Sequence, residues 1–390
     1  MLIEYALATF SPYGTWGTMV YSQFNNIFIN QIVSLCGIYG ISFSIGLLAT
    51  TILLMYDHRR KLREIKTPLI FSAMWFVFVI VYSGFRYFEP VANNNQIQIS
   101  GITIPITDKP FYVDSLSSTG DNFIKDTLNV YYDLYAFNKT IAPDKQEEVN
   151  AWMLNLQQKL LDKTKECAKK GSKIIIWSEG NALVLKESEK DFIDHCKSLA
   201  KSYQITLFVS LNTKTIGVLN SENKIIAIDS AGNVAYEYLK SYPVVGTEYS
   251  VKGFGELKTI DTEYGKLTSV ICFDADFNDL VRQASKLQSS LIVVTGYDWS
   301  EIDPFHTKMA SVRAIENGIP LIRQVNYGYS ASYNYKGVEI ASKEYVFNAS
   351  GYDFTSNLCI EAKPSIYSKI GDVFVYVLVG VGVGISIKLK

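Results

Sequence analysis

The stretch LTSVICFDADFNDLVRQAS, residues 267–285, combines an apolar strand with the start of an amphipathic helix. Residues 267–272 are mostly apolar and include several β-branched side chains, which predicts a strand that ends at Cys272. Residues 278–286 then place apolar side chains at helical spacing. A strand followed by a helix is the repeating unit of layered α/β proteins, so we predict that Cys272 lies at the C-terminal end of a strand in such a fold.

The same alternation extends in both directions along the chain. Short apolar or alternating runs predict strands, and longer amphipathic runs predict helices. The predicted strands are 97–102, 173–177, 206–211, 225–228, 234–239, 291–295, 321–325 and 331–335, and the other predicted helices are 145–170, 187–203 and 305–317. The pattern predicts a mixed α/β domain between about residues 95 and 365.

Two further strand ends carry reactive side chains. The segment KIIIWSEGNA, residues 173–182, places Glu179 just after a predicted strand. The segment VAYEYLKSYPVVGTEYS, residues 234–250, places Lys240 at a strand end and Glu248 eight residues later. Reactive groups in open α/β sheets gather at this edge.

Together these residues suggest nucleophilic catalysis. A cysteine reacts as a thiolate and needs a base or a positive neighbour. Glu179 can accept the thiol proton, and Lys240 can stabilise an oxyanion together with the backbone N–H of Phe273. Taken alone, each residue has an ordinary structural explanation: a small buried side chain for Cys272, a helix-start charge for Glu179 and a solvated strand end for Lys240.

Composition argues against several other kinds of site. The five cysteines form no CxxC pair, the three histidines are scattered, and none of these histidines follows a predicted strand end. No P-loop or GxGxxG sequence follows a strand. We therefore expect no cofactor and no metal ion, and the net charge of -1 gives no reason to expect a nucleic-acid partner.

Uncharged segments near both ends of the chain predict a membrane protein. Residues 5–56 carry no charge, which is enough for one membrane helix plus an interfacial or re-entrant piece, and residues 67–85 provide a second helix. A shorter, glycine-rich run at 373–387 provides a third. We predict a membrane segment over 1–90, a catalytic domain over 91–365 and a C-terminal transmembrane helix over 366–390.

The loop between the first two apolar runs determines the predicted orientation. It has the sequence DHRRKLREIK, residues 57–66, and short loops rich in lysine and arginine stay in the cytoplasm. The second helix then leaves the cytoplasm, so we expect everything after Arg86 to be extracytoplasmic.

The catalytic segments resemble the nitrilase superfamily, which uses a Glu-Lys-Cys triad, over most of residues 95–350. The match includes FHTKMASVRAIENGIPLIRQVNYGYSA, residues 305–331, where Arg313, Glu316, Asn317, Gly318 and Pro320 fit the family pattern. Residues 11–45 resemble the membrane part of one branch, the apolipoprotein N-acyltransferases. That match rests on Gly14, Trp16, Gly17, Tyr21, Ser22, Gln23, Gln31, Gly37, Gly40, Ser42 and Phe43.

The resemblance implies a fold, a reaction and a location. The fold would be a nitrilase-like four-layer α-β-β-α sandwich flanked by transmembrane helices. Cys272 would take an acyl chain from a phospholipid as a thioester and pass it to the N-terminal amine of a diacylglyceryl-modified lipoprotein. Glu248 would be an assisting carboxylate. The enzyme would lie in the bacterial cytoplasmic (inner) membrane, with its catalytic domain on the extracytoplasmic face.

The sequence departs from the family pattern at several positions. Phe273 and Asp274 replace a Tyr-Glu pair, and Gly296-Tyr297-Asp298 precedes Trp299 where the family has Asn-Asp before tryptophan. The N-terminus is shorter than the family's. Two alternatives remain: a membrane-anchored amidase that uses water and a small amide, and an interaction protein that keeps the fold without activity.

Overall fold

The computed structural model describes residues 1–91, 96–106, 146–215, 218, 220–299, 301–344 and 353–388, so part of the predicted 91–365 domain lies outside the described residues. The described helices are α1 Leu2–Phe10, α2 Ile27–Asn30, α3 Val33–Cys36, α4 Tyr39–Asp57, α5 Lys66–Phe88, α6 Gln146–Lys169, α7 Glu189–Tyr203, α8 Asn278–Lys286, α9 Phe305–Asn317, α10 Ile366–Ile370 and α11 Val373–Lys388.

The described strands number thirteen and form two sheets. They are β1 Gln96–Ile102, β2 Ile174–Trp177, β3 Ala182–Leu185, β4 Thr206–Lys214, β5 Glu222–Ile228, β6 Val234–Leu239, β7 Thr259–Thr262, β8 Gly265–Ile271, β9 Leu291–Tyr297, β10 Leu321–Asn326, β11 Tyr329–Tyr333, β12 Glu339–Glu344 and β13 Asp353–Cys359. The first sheet has the order β13-β1-β2-β4-β5-β6, with β3 paired to β4, and the second has the order β12-β11-β10-β9-β8-β7. The predicted mixed α/β class is confirmed.

Parallel strands occupy the centre of both sheets. β1, β2 and β4 run parallel in the first sheet, and β8, β9 and β10 run parallel in the second. The ends of parallel neighbours meet at one edge of a sheet, so this topology gathers the residues that follow β8, β9 and β10.

The two sheets share one hydrophobic core, which includes Phe208 of the first sheet and Val270 of the second. The run Ile174–Trp177 shows why the sequence is apolar at every position. Ile174 and Ile176 belong to the core between the sheets, whereas Ile175 and Trp177 belong to a second core formed with helices α6 and α7. A strand buried on both faces needs apolar side chains throughout.

Helix α9 joins the second sheet to the N-terminal helices. Met309, Val312 and Ile315 of α9 pack in a third apolar cluster with residues such as Ile32 and Tyr39. The N-terminal segment is therefore packed onto the α/β fold rather than separated from it by a linker.

Two described helices are long and apolar enough to cross a membrane, namely Tyr39–Asp57 and the combined segment Leu62–Phe88. Much of their surface is unpartnered: Met74 is 67% exposed and Phe85 is 82% exposed. Large exposed apolar surfaces are rare on soluble monomers. The apolar helix that starts at Val373 is shorter than either. Its length therefore supports the predicted third transmembrane helix less well than the lengths of the other two support theirs.

Candidate active site

Glu179, which follows β2, and Lys240, which follows β6, lie together with Glu248 in a buried cluster. Lys240 Nζ donates hydrogen bonds to Glu179 Oε1 at 2.7 Å and to Glu248 Oε2 at 2.6 Å. Lys240 is only 2% exposed, and Glu179 is also buried. A buried ammonium between two carboxylates is held in one position and shielded from water.

Asn223 completes this cluster from β5. Its Nδ2 donates to Glu179 Oε1 at 2.8 Å and to Glu248 Oε1 at 2.9 Å. Burial alone would raise the pKa of the Glu248 carboxyl, but the Lys240 charge and these hydrogen bonds outweigh burial and lower it. Glu248 is therefore kept ionised beside Lys240. Sequence patterns gave no signal for Asn223, because its role depends on pairing between strands.

Cys272 lies at the start of a 3-10 turn, Cys272–Asp276, directly after β8. The predicted strand end was one residue too late, because Cys272 has a φ of 47° and has left the extended conformation. A non-glycine residue in this left-handed region costs about 1–3 kcal/mol and is usual at functional sites. The backbone therefore leaves the strand at Cys272 and enters the turn.

Asp274 fixes that turn against the segment that carries Lys240. Its carboxylate accepts hydrogen bonds from the backbone N–H of Tyr242 at 2.7 Å, from the Tyr238 hydroxyl at 2.8 Å and from the backbone N–H groups of Ser241 and Ile271. Burial raises the pKa of Asp274 to about 7, against the opposing effects of the Lys240 charge and these donors. The aspartate found in place of the family's glutamate thus links the cysteine turn to β6.

Phe273, the predicted second oxyanion donor, is buried and packs its ring edge against Phe277 with centroids 5.4 Å apart. The use of its backbone N–H stays a prediction.

Burial and the Glu179 charge raise the pKa of the Cys272 thiol, whereas His306 and Lys240 lower it, and the net shift is upward. The thiol is therefore mostly protonated at neutral pH and needs a base.

His306 lies beside Cys272, although no histidine follows a predicted strand end. It reaches the thiol from helix α9, with Nδ1 4.0 Å from Cys272 Sγ. Arg323 Nη2 lies 3.8 Å from the same sulfur, and Asp298 binds Arg323 through both carboxylate oxygens. Sequence spacing missed these residues because they come from three separate elements and meet only when β9, β10 and α9 pack together.

These residues also resemble a metal-binding group. The ligand atoms of Cys272, Asp298 and His306 all lie within 4.8 Å of one another. Arg323 Nη2, however, lies 2.8 Å from Asp298 Oδ1, 2.9 Å from His306 Nδ1 and 3.8 Å from Cys272 Sγ. The guanidinium therefore occupies the position that a cation bound to all three would need.

The N-terminal segment contacts the cysteine turn directly. The backbone N–H and hydroxyl of Thr15 both donate to the carbonyl of Asp276, at 2.9 and 2.7 Å. Trp16 is 42% exposed and places its ring edge-on to His306, with centroids 5.6 Å apart. The segment that resembles the membrane part of the acyltransferases thus forms one wall of the candidate site.

Gly14 lies where the N-terminal segment approaches the cysteine turn. Replacement of Gly14 by alanine should therefore lower the stability of the protein more than the same replacement at Gly17. A Cβ at Gly14 would lie 2.7 Å from the carbonyl oxygen of Asp276. Gly14→Ala should therefore destabilise the protein by about 1–3 kcal/mol through overpacking, in addition to backbone strain. Gly17→Ala is the matched control, because Gly17 also has a positive φ but has no described atom within 4 Å of the added Cβ. Denaturant unfolding in detergent measures the difference, and equal unfolding curves for the two variants would contradict the proposed contact.

A model of the carbon-nitrogen hydrolases matches residues 143–345, slightly more than half of the 390 residues. The chain belongs to the carbon-nitrogen hydrolase family. Curated relatives are similar over most of the chain. The apolipoprotein N-acyltransferase of Geobacter metallireducens is 23% identical over 96% of this chain and 70% of its own length. That of Rickettsia bellii is 24% identical over 92% of this chain and 68% of its own length.

Solved structures agree on the carbon-nitrogen hydrolase fold. An amidase from Nesterenkonia sp. has a TM-score of 0.51 at 15% identity and covers 73% of this chain and 97% of its own. A mutant of the amidase from Nesterenkonia sp. AN1 in complex with butyramide also has a TM-score of 0.51, at 14% identity, with coverage of 73% and 98%. At such identities the likeness establishes the nitrilase-like α/β fold alone. The predicted resemblance to the apolipoprotein N-acyltransferases is confirmed by the curated relatives.

Proposed function

We propose that this chain is a membrane acyltransferase that moves a fatty acyl chain from a phospholipid, through a thioester on Cys272, to the N-terminal amine of a diacylglyceryl-modified lipoprotein. The observation that carries the proposal is that curated N-acyltransferases align with up to 96% of the chain, so the likeness extends well beyond the carbon-nitrogen hydrolase domain. A carbon-nitrogen hydrolase domain with a buried Glu-Lys-Glu cluster supports the same activity.

The acylation step begins with the thiol proton. Glu179 accepts this proton, and the Cys272 sulfur attacks the ester carbonyl of the phospholipid. Lys240 and the N–H of Phe273 stabilise the oxyanion that forms. The intermediate then collapses, the ester C–O bond breaks, and Glu179 returns its proton to the departing lysophospholipid alcohol. The product is an S-acyl thioester on Cys272.

The transfer step uses the same groups in the same order. The acceptor amine attacks the thioester carbonyl, and Glu179 accepts a proton from the attacking nitrogen. Collapse of the second oxyanion breaks the C–S bond and forms the amide. The sulfur leaves as a thiolate and recovers the proton from Glu179, which restores the starting state. Glu248 and Asn223 hold the side chains of Lys240 and Glu179 in position in both steps.

The finer architecture that fits this role is a four-layer α-β-β-α sandwich flanked by transmembrane helices. Its parts are a membrane segment over 1–90, a catalytic domain over 91–365 and a C-terminal transmembrane helix over 366–390. The packing of α6 and α7 on the first sheet and of α9 on the second supports the layers. Both proposed substrates carry acyl chains that lie in the bilayer, so the site must open toward it.

The positions of the two long helices support an extracytoplasmic catalytic domain. Buried residues of α4 cluster at its start, from Tyr39 to Ser44, and the end of α5 binds the α/β fold through Lys336, which donates to the carbonyls of Tyr87 and Glu89. The loop between the helices is therefore at their far end. Its basic side chains are exposed, namely Arg59, Arg60, Lys61 and Arg63.

This arrangement predicts a protease pattern. By the positive-inside rule, the basic loop is cytoplasmic and residues 95–365 are on the opposite face of the inner membrane. Protease added to intact spheroplasts should digest the catalytic domain while a cytoplasmic marker stays intact. Protection of the domain until the cells are lysed would mean that the orientation is inverted.

The fate of the thioester distinguishes the acyltransferase from the alternative amidase. Protein acylated with phospholipid should keep its acyl group in buffer and lose it when a peptide with a lipidated N-terminal cysteine is added. The peptide should gain the acyl chain as an amide. Rapid loss in buffer alone, with ammonia released from small amides, would instead identify an amidase.

A further inference from the structure

We propose that Arg323 is a second catalytic cation at Cys272, which stabilises the thiolate in addition to Lys240 and is held in place by Asp298. This inference rests on the proposed function, in which the thiolate is formed before acylation and released after transfer. No sequence pattern points to such a group, because Arg323 lies inside β10 rather than at a strand end.

Arg323 contacts the reacting atom directly. Arg323 Nη2 lies 3.8 Å from Cys272 Sγ, within hydrogen-bonding range for sulfur. Arginine has five N–H donors and no acceptor, and it stays protonated in proteins. Its contact with sulfur can therefore only be that of a donor, and it is stronger with a thiolate than with a thiol.

The guanidinium is also fixed in position. Asp298 accepts from Nη1 at 2.6 Å and from Nη2 at 2.8 Å, and both side chains are fully buried. Thr307 accepts a further hydrogen bond from Nη1. A paired, buried guanidinium needs no reorganisation when the sulfur becomes charged, which is what makes electrostatic stabilisation effective.

The backbone beside Arg323 leaves room for this side chain. A Cβ at Gly296 would lie 2.9 Å from Nη2 and 3.0 Å from Cζ of Arg323. Gly296 is one of the positions where the sequence departs from the family pattern. The absence of a Cβ at Gly296 therefore leaves room for the guanidinium beside the thiol.

His306 contacts both the thiol and the guanidinium. Its Nδ1 lies 2.9 Å from Arg323 Nη2, and its Nε2 lies 3.0 Å from Asp276 Oδ2. The imidazole thus stands between the guanidinium and the turn that carries Cys272. The charged groups that shift the thiol pKa are Glu179, His306 and Lys240, and Arg323 contacts the sulfur. Around them, Asp276 and Asp298 contact His306, Asp298 binds Arg323, and Asp274 accepts from the backbone N–H of Ile271.

The test measures thiol reactivity, which needs no lipid substrate. Full-length protein in detergent is alkylated with iodoacetamide between about pH 6 and pH 10.5, and the rate at Cys272 is followed by peptide mass, which separates it from the other four cysteines. EDTA is present throughout, so that trace metal ions cannot protect the thiol from the reagent. The variants are Arg323→Gln, which removes the charge, and Arg323→Lys, which keeps it.

Loss of a stabilising cation raises the thiol pKa. At a pH below that pKa, a rise of about one in the pKa lowers the thiolate fraction about ten-fold. Arg323→Gln should therefore react about ten-fold or more slowly than the wild type at pH 7 and reach the same rate at high pH. Arg323→Lys should recover most of the rate. Superimposed profiles, or an equal loss at every pH, would overturn the proposal.

Gly296→Ala keeps the test decisive if Arg323→Gln does not fold. It displaces the guanidinium without removing a charge, so its profile should shift in the same direction by a smaller amount, and an unshifted profile would count against Arg323. The outcome is also separate from the proposed function. A shifted profile in a protein that never forms a thioester would uphold the role of Arg323 and refute the acyltransferase. An unshifted profile in a protein that does form the thioester would refute the role of Arg323 and leave the acyltransferase standing.

Discussion

Cys272→Ala should abolish acylation of the lipoprotein acceptor, because the thiol is the only group that forms the covalent intermediate in the proposed reaction. Alanine removes one sulfur atom from a side chain that is 3% exposed, so the fold should persist. The measurement is transfer of a labelled acyl chain from phospholipid to a lipidated N-terminal cysteine peptide. Thermal unfolding of the variant should be close to that of the wild type.

Cys272→Ser gives a finer test of the same group. A hydroxyl is far harder to ionise than a thiol with a pKa near 8.5, so the serine variant should be nearly as inactive as the alanine variant. Full transfer by Cys272→Ala would mean that the acyl chain never passes through this residue.

Lys240→Ala should be the next most damaging replacement. It removes the positive partner of the oxyanion, and loss of a single oxyanion donor costs a factor of about 100 to 1,000 in rate. It also leaves Glu179 and Glu248 buried without the cation that separates them. Loss of one partner from a buried ion pair costs about 3–5 kcal/mol, so stability should fall as well. Thioester formation per folded molecule is the quantity to measure.

Lys224→Ala is the matched control for this stability effect. Lys224 is equally buried and binds Glu222 at 2.6 Å and Glu189 at 2.7 Å. It has no contact with Glu179 or Glu248 among the described ion pairs. Lys224→Ala should lower stability but leave thioester formation per folded molecule within a few-fold of the wild type. Equal losses in both variants would mean that Lys240 acts only as a structural residue.

Local pattern predicted the central strands and helices well. Helices α8 and α9 begin and end where the sequence places them, and the predicted strand 234–239 is β6. These elements have strong apolar periodicity and clear ends. The position of Glu179 and Lys240 just past their strands followed from the same local signal, and their contact followed from the general geometry of sheet edges.

Four strands were missed, for physical reasons that differ. β12 is an edge strand with the sequence EIASKE, and its side chains are mostly exposed, so it has no apolar alternation to detect. β3 is four residues long and follows β2 closely. β7 and β13 pair antiparallel at or near the margins of their sheets, where partners rather than composition define a strand.

The second half of the candidate site depended on tertiary contacts. Asp298, His306 and Arg323 come from a loop, a helix and the middle of a strand, and a single sequence gives no sign that they meet at one sulfur. The docking of Thr15 onto Asp276 spans 261 positions along the chain. Such contacts arise from packing, which periodicity cannot predict.

The mass of the intact protein after incubation with a phospholipid of defined acyl chains tests the central claim most directly. The account predicts the addition of one acyl group, located by peptide mass on Cys272, removed by hydroxylamine and absent from Cys272→Ala. An unmodified Cys272 in a protein that nevertheless acylates the lipoprotein peptide, or an acyl group on a different residue, would contradict it.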